Sequence, residues 1–207
     1  TTFFNVITHK LKADGGKVFF EGKDITKLPP YRILSLGIAR SFQVISLYPR
    51  LTCHENVMSP LITVKKRNLQ MFSKAKDYVD IREEVFRLLG MVGLTEKTSV
   101  IAGTLAHGDK KRLDIAVGLA CNPKLMLLDE PTAGMSPEET KTITRLIREV
   151  CDQEKVTIVF TEHDMSVVFA ISDNITVMHQ GRVIATGKPQ EVKGNKEVIE
   201  AYLGEEF

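Results

Sequence analysis

Along this chain, short unbroken apolar runs alternate with apolar residues at helical spacing. Leu125-Met126-Leu127-Leu128 follows an Asn122-Pro123 breaker and reads as a strand covered on both faces. Asp129-Glu130 ends that run, and Pro131 stops further ladder pairing. Val156 to Phe160 is a second run of the same kind, ending in Thr161-Glu162-His163-Asp164. Between the two, Ser136-Pro137-Glu138-Glu139 carries the marks of a helix start: a capping serine, proline in the first turn, and a glutamate that completes a capping box. The helix continues to about Asp152, with Ile143, Leu146, Ile147 and Val150 inward. Strand, helix, strand, helix in this order predicts a parallel sheet, whose neighbouring strands bring both polar endings to one edge.

The remaining pattern is less regular. Phe3, Phe4, Ile7 and Leu11 stand at helical spacing and predict one buried stripe. Asp14-Gly15-Gly16 is a turn, Lys17 to Phe20 a strand, and Pro29-Pro30 starts a short helix that Gly37 closes. Ile38 to Gln43 reads as a strand running into a loop. From about residue 50 no strand is visible. Cys53 to Lys66 looks helical with Pro60 interrupting it, and Arg67 to Lys76 is polar. Asp77 to Val92 is an amphipathic helix with Val79, Val85, Phe86, Leu88, Leu89 and Val92 on its apolar side. Gly108-Asp109 opens another helix. The pattern therefore predicts a helical subdomain at 44–113 inserted into an α/β core formed by 1–43 and 114–207, with a small β-rich part near 17–43. Met165 to Ile171 then reads as helix, Ile175 to His179 with Arg182 to Ala185 as a hairpin, and Lys196 to Leu203 as a last helix.

Composition narrows the function classes. The chain has 207 residues, 43% of them hydrophobic, and a formal net charge of +2. So small a charge, with no basic block beyond Val64-Lys65-Lys66-Arg67, gives no reason to expect nucleic acid. Three widely spaced cysteines favour neither a disulfide framework nor a zinc site and fit a reducing compartment. No apolar run approaches the roughly 20 residues that span a bilayer, so any membrane role is by docking. The chain opens at Thr1-Thr2-Phe3 inside what reads as the body of a helix, which predicts that an N-terminal part is missing.

An Asp-Glu pair at the carboxyl end of a buried strand is placed where ligands gather in open α/β sheets. It suits a metal-holding acid beside a group that activates water, although a charged strand end turning into solvent has the same pattern. Gln43 taken alone reads as an exposed loop residue, and His107 taken alone as a surface residue rather than a ligand.

In their order, these segments resemble the motifs of the ATP-binding cassette ATPases. Leu125 to Glu130 is similar to the Walker B strand, and Ala133-Gly134-Met135-Ser136-Pro137 to the D-loop. His163 in Thr-Glu-His-Asp matches the switch histidine, and Gln43 in Arg-Ser-Phe-Gln the Q-loop glutamine. Leu105-Ala106-His107-Gly108-Asp109 occupies the signature position. Its departure from Leu-Ser-Gly-Gly-Gln resembles the branch that drives import of branched-chain amino acids; urea importers and lipid-export ATPases are close relatives.

The resemblance implies a P-loop NTPase-like (RecA-like) α/β fold with a parallel sheet, ATP and Mg²⁺ as cofactors, and a peripheral place on the cytoplasmic face of a membrane. Transmembrane permease subunits and a second ATPase subunit, paired head to tail around two nucleotides, would be the partners. Glu130 and His163 would be catalytic, with Glu130 polarising the attacking water and His163 holding the γ-phosphate. Asp129, Gln43 and Thr1 would attend the metal. Thr1, Thr2, Gln43, Leu105, Ala106, His107, Gly108, Asp109, Gly134 and Ser136 would line the nucleotide. The start of the helix at Gly108 offers backbone N–H groups and a positive dipole end to an anion. The phosphate loop pattern G-x-x-x-x-G-K-[ST] does not occur in the chain. In the family its Gly-Lys precedes a Thr-Thr-Phe like Thr1-Thr2-Phe3, so the chain as written is expected to bind ATP poorly.

Two other readings stand beside this one. A cassette ATPase acting on DNA or ribosomes is disfavoured by the short helical insert and the lack of basic patches. A non-catalytic assembly module is disfavoured by the intact Asp129, Glu130 and His163. The segment Val44 to Val64 is expected to receive a membrane partner through Leu47, Tyr48, Leu51, Val57, Leu61 and Ile62, unless these simply pack the subdomain.

Overall fold

The structure is a computed structural model that describes residues 1–40, 47–66 and 75–203. Two compact units divide it, Thr1–Thr161 and Glu162–Phe207.

The first unit begins with helix α1 (Thr2–Ile7) and a small antiparallel pair, β1 (Phe19–Phe20) and β2 (Lys23–Asp24). Helix α2 (Pro30–Ser35) follows, with proline at its first position. Gly37 then leaves the helix with φ +94°. It also lets the chain pass close to Lys124, accepting bonds from Lys124 N (2.8 Å) and Leu125 N (3.0 Å). A side chain there would meet both the left-handed backbone penalty and the Lys124 backbone. Strand β3 (Ile38–Arg40) starts at once and is buried along its length.

Three helices come next: α3 (Cys53–Lys66), α4 (Ala75–Met91) and α5 (His107–Ala120), all packed on one another. α3 continues through Pro60. The single backbone bond proline forfeits is outweighed by burial of Cys53, Val57 and Leu61. Strand β4 (Leu125–Asp129), helix α6 (Pro137–Glu154) and strand β5 (Thr157–Thr161) complete the unit. The sheet order is β3-β4-β5, parallel throughout, with Arg40 opposite Leu127 and Asp129 opposite Thr161. Met126, Leu127 and Leu128 are fully buried, each contributing about 1.5–3 kcal/mol by burial. The side chains of Phe4, Ile25, Ile33, Ile38 and Leu127 form one core cluster. On α5, a side chain at Gly118 would collide with Met126, so glycine there permits close helix–sheet packing.

Several expected apolar faces are narrower than their periodicity. Of the N-terminal stripe only Phe4 is fully buried, while Phe3 and Leu11 are exposed. The helix ends at Ile7 and His9 turns the chain with φ +58°, which takes Leu11 off the stripe. On α4, Ile81, Val85, Leu88 and Leu89 are buried, but Val79 and Phe86 lie on the surface.

The second unit holds helix α7 (Met165–Ile171), the hairpin β6 (Ile175–His179) and β7 (Arg182–Gly187), and helices α8 (Pro189–Lys193) and α9 (Lys196–Val198). Ile175, Val177, Val192 and Val198 form its core. No described helix is long and apolar enough to cross a membrane.

Candidate active site

The carboxyl end of β4 carries the densest polar cluster. Oδ1 of Asp129 accepts from the Thr161 hydroxyl (2.7 Å), one strand over. Its Oδ2 accepts from Nη2 of Arg40 (2.9 Å) and from the Thr1 hydroxyl (3.0 Å). Burial pushes the Asp129 carboxyl up, but the hydroxyls of Thr161 and Thr1 and the Arg40 guanidinium outweigh it and hold it below the usual carboxylate value. Asp129 is therefore an ionised acid at neutral pH.

Glu130 leaves the strand with φ +48°, uncommon for a residue with a Cβ. This ends the strand's side-chain alternation where the second carboxylate follows the first. Its N–H donates to Thr161 O (3.0 Å), and its carbonyl accepts from Ala133 N (3.2 Å) and from Nζ of Lys111 on α5 (3.3 Å). The turn through Pro131 to Gly134, with Gly134 at φ +75°, leads to Ser136. Ser136 and Glu139 form the expected capping box of α6: Ser136 N donates to Oε2 of Glu139 (3.0 Å), and Glu139 N donates back to the Ser136 hydroxyl (3.4 Å).

The start of α5 comes to this turn. Nε2 of His107 lies 3.2 Å from Ala133 O, and a Cβ on Gly108 would stand 2.9 Å from Oε1 of Glu139. Leu105 is buried, Ala106 is the exposed residue before the helix, and Asp109 is buried and ion-paired with Lys97 and with Arg112 (3.6 Å). What this segment presents for binding is thus backbone rather than carboxylate. Thr2 is exposed at the first turn of α1. Gln43 lies outside the described residues. His163 belongs to the second unit, exposed just before α7, with its N–H on the Glu162 carboxylate (3.2 Å).

Thr1 and Asp129 set two hard oxygen donors against each other, the type of partner magnesium takes. Among the described residues no three His, Cys, Asp or Glu side chains converge. One carboxylate and one hydroxyl suit an ion that keeps waters and substrate oxygens as its other ligands.

Arg40, Thr161 and Lys111 were not among the residues the sequence marked for the site. Arg40 had a legible signal: a charge inside an apolar run that reads as a buried strand.

A parallel sheet packed with helices and carrying two adjacent carboxylates at its carboxyl edge fits a P-loop NTPase-like core, the class of the solved structures it resembles. Residues 1–133 match the family model described as ABC transporter, and residues 182–207 the one described as branched-chain amino acid ATP-binding cassette transporter. The chain belongs to the ABC transporter family and is an ATPase of that type. Its relatives include the high-affinity branched-chain amino acid transport ATP-binding protein BraF of Pseudomonas aeruginosa, 36% identical across 99% of this chain and 82% of that protein. The protein LivG of Escherichia coli, with the same description, is 35% identical over the same shares. Among solved structures, the ADP conformation of MJ1267, an ATP-binding cassette of an ABC transporter, superposes with a TM-score of 0.80 at 30% identity, over 98% of this chain and 82% of that one. A dimeric post-hydrolysis cassette, MJ0796 bound to ADP and Pi, gives 0.74 at 25% identity, over 91% and 79%.

Proposed function

We propose that this chain is the ATP-hydrolysing subunit of a branched-chain amino acid importer, working as a head-to-tail pair on the cytoplasmic face of the membrane. The observation that carries the reading is the end of β4, where an ionised acid touching a threonine hydroxyl is followed directly by Glu130. The names of the relatives supply the solute class.

In this reading Thr1, Asp129 and Gln43 would hold Mg²⁺, which would supply charge neutralisation at the phosphate oxygens. Glu130 accepts a proton from the attacking water, and His163 orients that water and the γ-phosphate. The start of α5 at Ala106, His107 and Gly108 presents backbone N–H groups to the nucleotide bound by the opposite subunit, with Gly134 and Ser136 on the adjoining loop. Residues 44–113 act as the helical signature subdomain and 1–43 with 114–207 as the ATPase core.

A permease subunit docks on that helical part. A groove of about 580 Å³ lies between α3 and α4, lined by His54, Met58, Arg82 and Phe86 among others. Phe86 is 40% exposed and carries His54 edge-on at 5.9 Å and Arg82 at 5.8 Å. Val57 and Leu61, expected on such a surface, are core residues instead. The groove is amphipathic, which suits a short helix of a membrane protein.

The test uses a chain that carries the phosphate loop upstream of Thr1. Glu130→Gln should retain ATP binding and lose hydrolysis by about 10² to 10⁴, the usual worth of such a base. Turnover at the parent rate would remove Glu130 from its role. In proteoliposomes with its permeases, leucine uptake should require ATP, and Phe86→Glu should stop uptake while basal hydrolysis continues. Uptake of urea but not leucine would reassign the solute.

A further inference from the structure

Arg40 is 1% exposed, at the carboxyl end of the parallel strand β3. A guanidinium taken from water costs several kcal/mol unless its partners repay it, and here they do so incompletely. Nη2 donates to Asp129, Nη1 donates to Oδ1 of Asn5 (2.6 Å), and the ring of Phe4 lies 5.5 Å from the guanidinium carbon. Nε is buried without a partner among the described residues. Hydrophobic packing at this site would be at least as stable, so the arrangement asks for a reason other than stability.

The reason lies in what the fork connects. Arg40 is opposite Leu127, and Asp129 is two residues on, so all three share one face of the sheet. α1 covers that face through Phe4. Asn5, the second partner, sits one turn along α1 from Thr1, whose carbonyl accepts its N–H (2.9 Å). One rigid planar group thereby holds both the strand that carries Asp129 and the helix that begins with Thr1.

We infer that Arg40 is a positioning residue which fixes the Asp129 carboxylate and the Thr1 hydroxyl relative to each other, and so sets the geometry of the magnesium site. The inference rests on the reading that these two groups hold the metal. A lysine keeps the charge but lacks the planar fork that reaches two partners at once.

The test is Mn²⁺ affinity, read by electron paramagnetic resonance on phosphate-loop-bearing protein saturated with ADP. Partners of metal ligands typically cost 10–100-fold when replaced, so Arg40→Lys should weaken Mn²⁺ by about tenfold or more. ADP affinity without metal should change less than about twofold, whereas a merely structural role would lower both together. In an Asp129→Asn background, Arg40→Lys should add no further loss. Should Arg40→Lys fail to fold, Asn5→Ala decides, since it frees the α1 side of the fork and leaves Arg40 on Asp129; it should weaken Mn²⁺ in the same direction. Unchanged Mn²⁺ affinity in Arg40→Lys, or in Asn5→Ala where that variant decides, overturns the inference. Unchanged affinity in Asp129→Asn itself overturns the underlying metal reading.

Discussion

Asp129, half-buried, and Asp109, buried, are both ion-paired and both at the end of a regular element, yet their surroundings differ. Asp129 is surrounded by groups from α1, β3 and β5 that converge on its two oxygens. Asp109 faces Lys97 and Arg112 and ties the loop before α5 to that helix. In the proposed reading the side chains at the strand end carry the chemistry, while at the helix start they are scaffolding and the backbone would meet a ligand. On that reading one cassette contains a side-chain half and a backbone half of the site.

Paired replacement tests that contrast most strongly. Asp129→Asn should reduce hydrolysis by more than about 100-fold, beyond the range expected of an outer partner. Asp109→Asn should change it by less than about tenfold. Its effect should be on thermal stability, about 1 kcal/mol, because Lys97 is half exposed and water takes over the lost pairing. Equal losses of hydrolysis in the two variants would abolish the distinction.

Gly108→Ala probes the backbone half directly. The added methyl would press on Oε1 of Glu139, the far end of a flexible side chain that can turn aside, so stability should change by less than about 1 kcal/mol. A larger loss in the melting curve would show that α5 and α6 pack too tightly here for Glu139 to yield. Ser136→Ala, which removes the α6 cap, should cost about 1 kcal/mol. In a chain of this size that is a shift of roughly 2–4 °C.

The smallest effect concerns acid. The N–H and hydroxyl of Ser136, with His107 and Arg112 nearby, hold Glu139 below the usual glutamate value. A depressed carboxylate contributes stability that is present above its unfolded value, roughly pH 4.3, and is lost as pH falls through its folded value. Glu139→Gln should therefore lower stability slightly at neutral pH, flatten the acid limb of a stability–pH curve below about pH 4.3, and leave stability in strong acid nearly intact. A limb of unchanged slope would remove Glu139 from that account.

Much of this was legible in the linear pattern. The strands at 125–129 and 157–161, the capping box at Ser136 and Glu139, and helix α7 with its limits at Met165 and Ile171 follow from local chemistry; the second strand, however, is not buried as its apolar run predicts, and Val159 is exposed. Local rules failed where burial is a property of neighbours. Phe3 and Phe86 satisfy helical spacing but, among the described residues, face no packing partner that covers them, while Val57 and Leu61, which fitted a docking surface or the packing of the subdomain, lie in the core.

The sequence by itself determined where the reactive groups enter the chain: an apolar run can end in Asp129-Glu130 only at a sheet margin, and the motif order carries the family with it. What the tertiary structure decided is which groups meet. Arg40 and Asp129 are 89 residues apart, and Thr1 and Asp129 are 128 apart. Contacts of that range are set by strand order and helix packing rather than by the preferences of either segment. Hence the guanidinium that ties helix, strand and acid together could be read as a charge in an apolar run, but its partners could be named only once the sheet had formed.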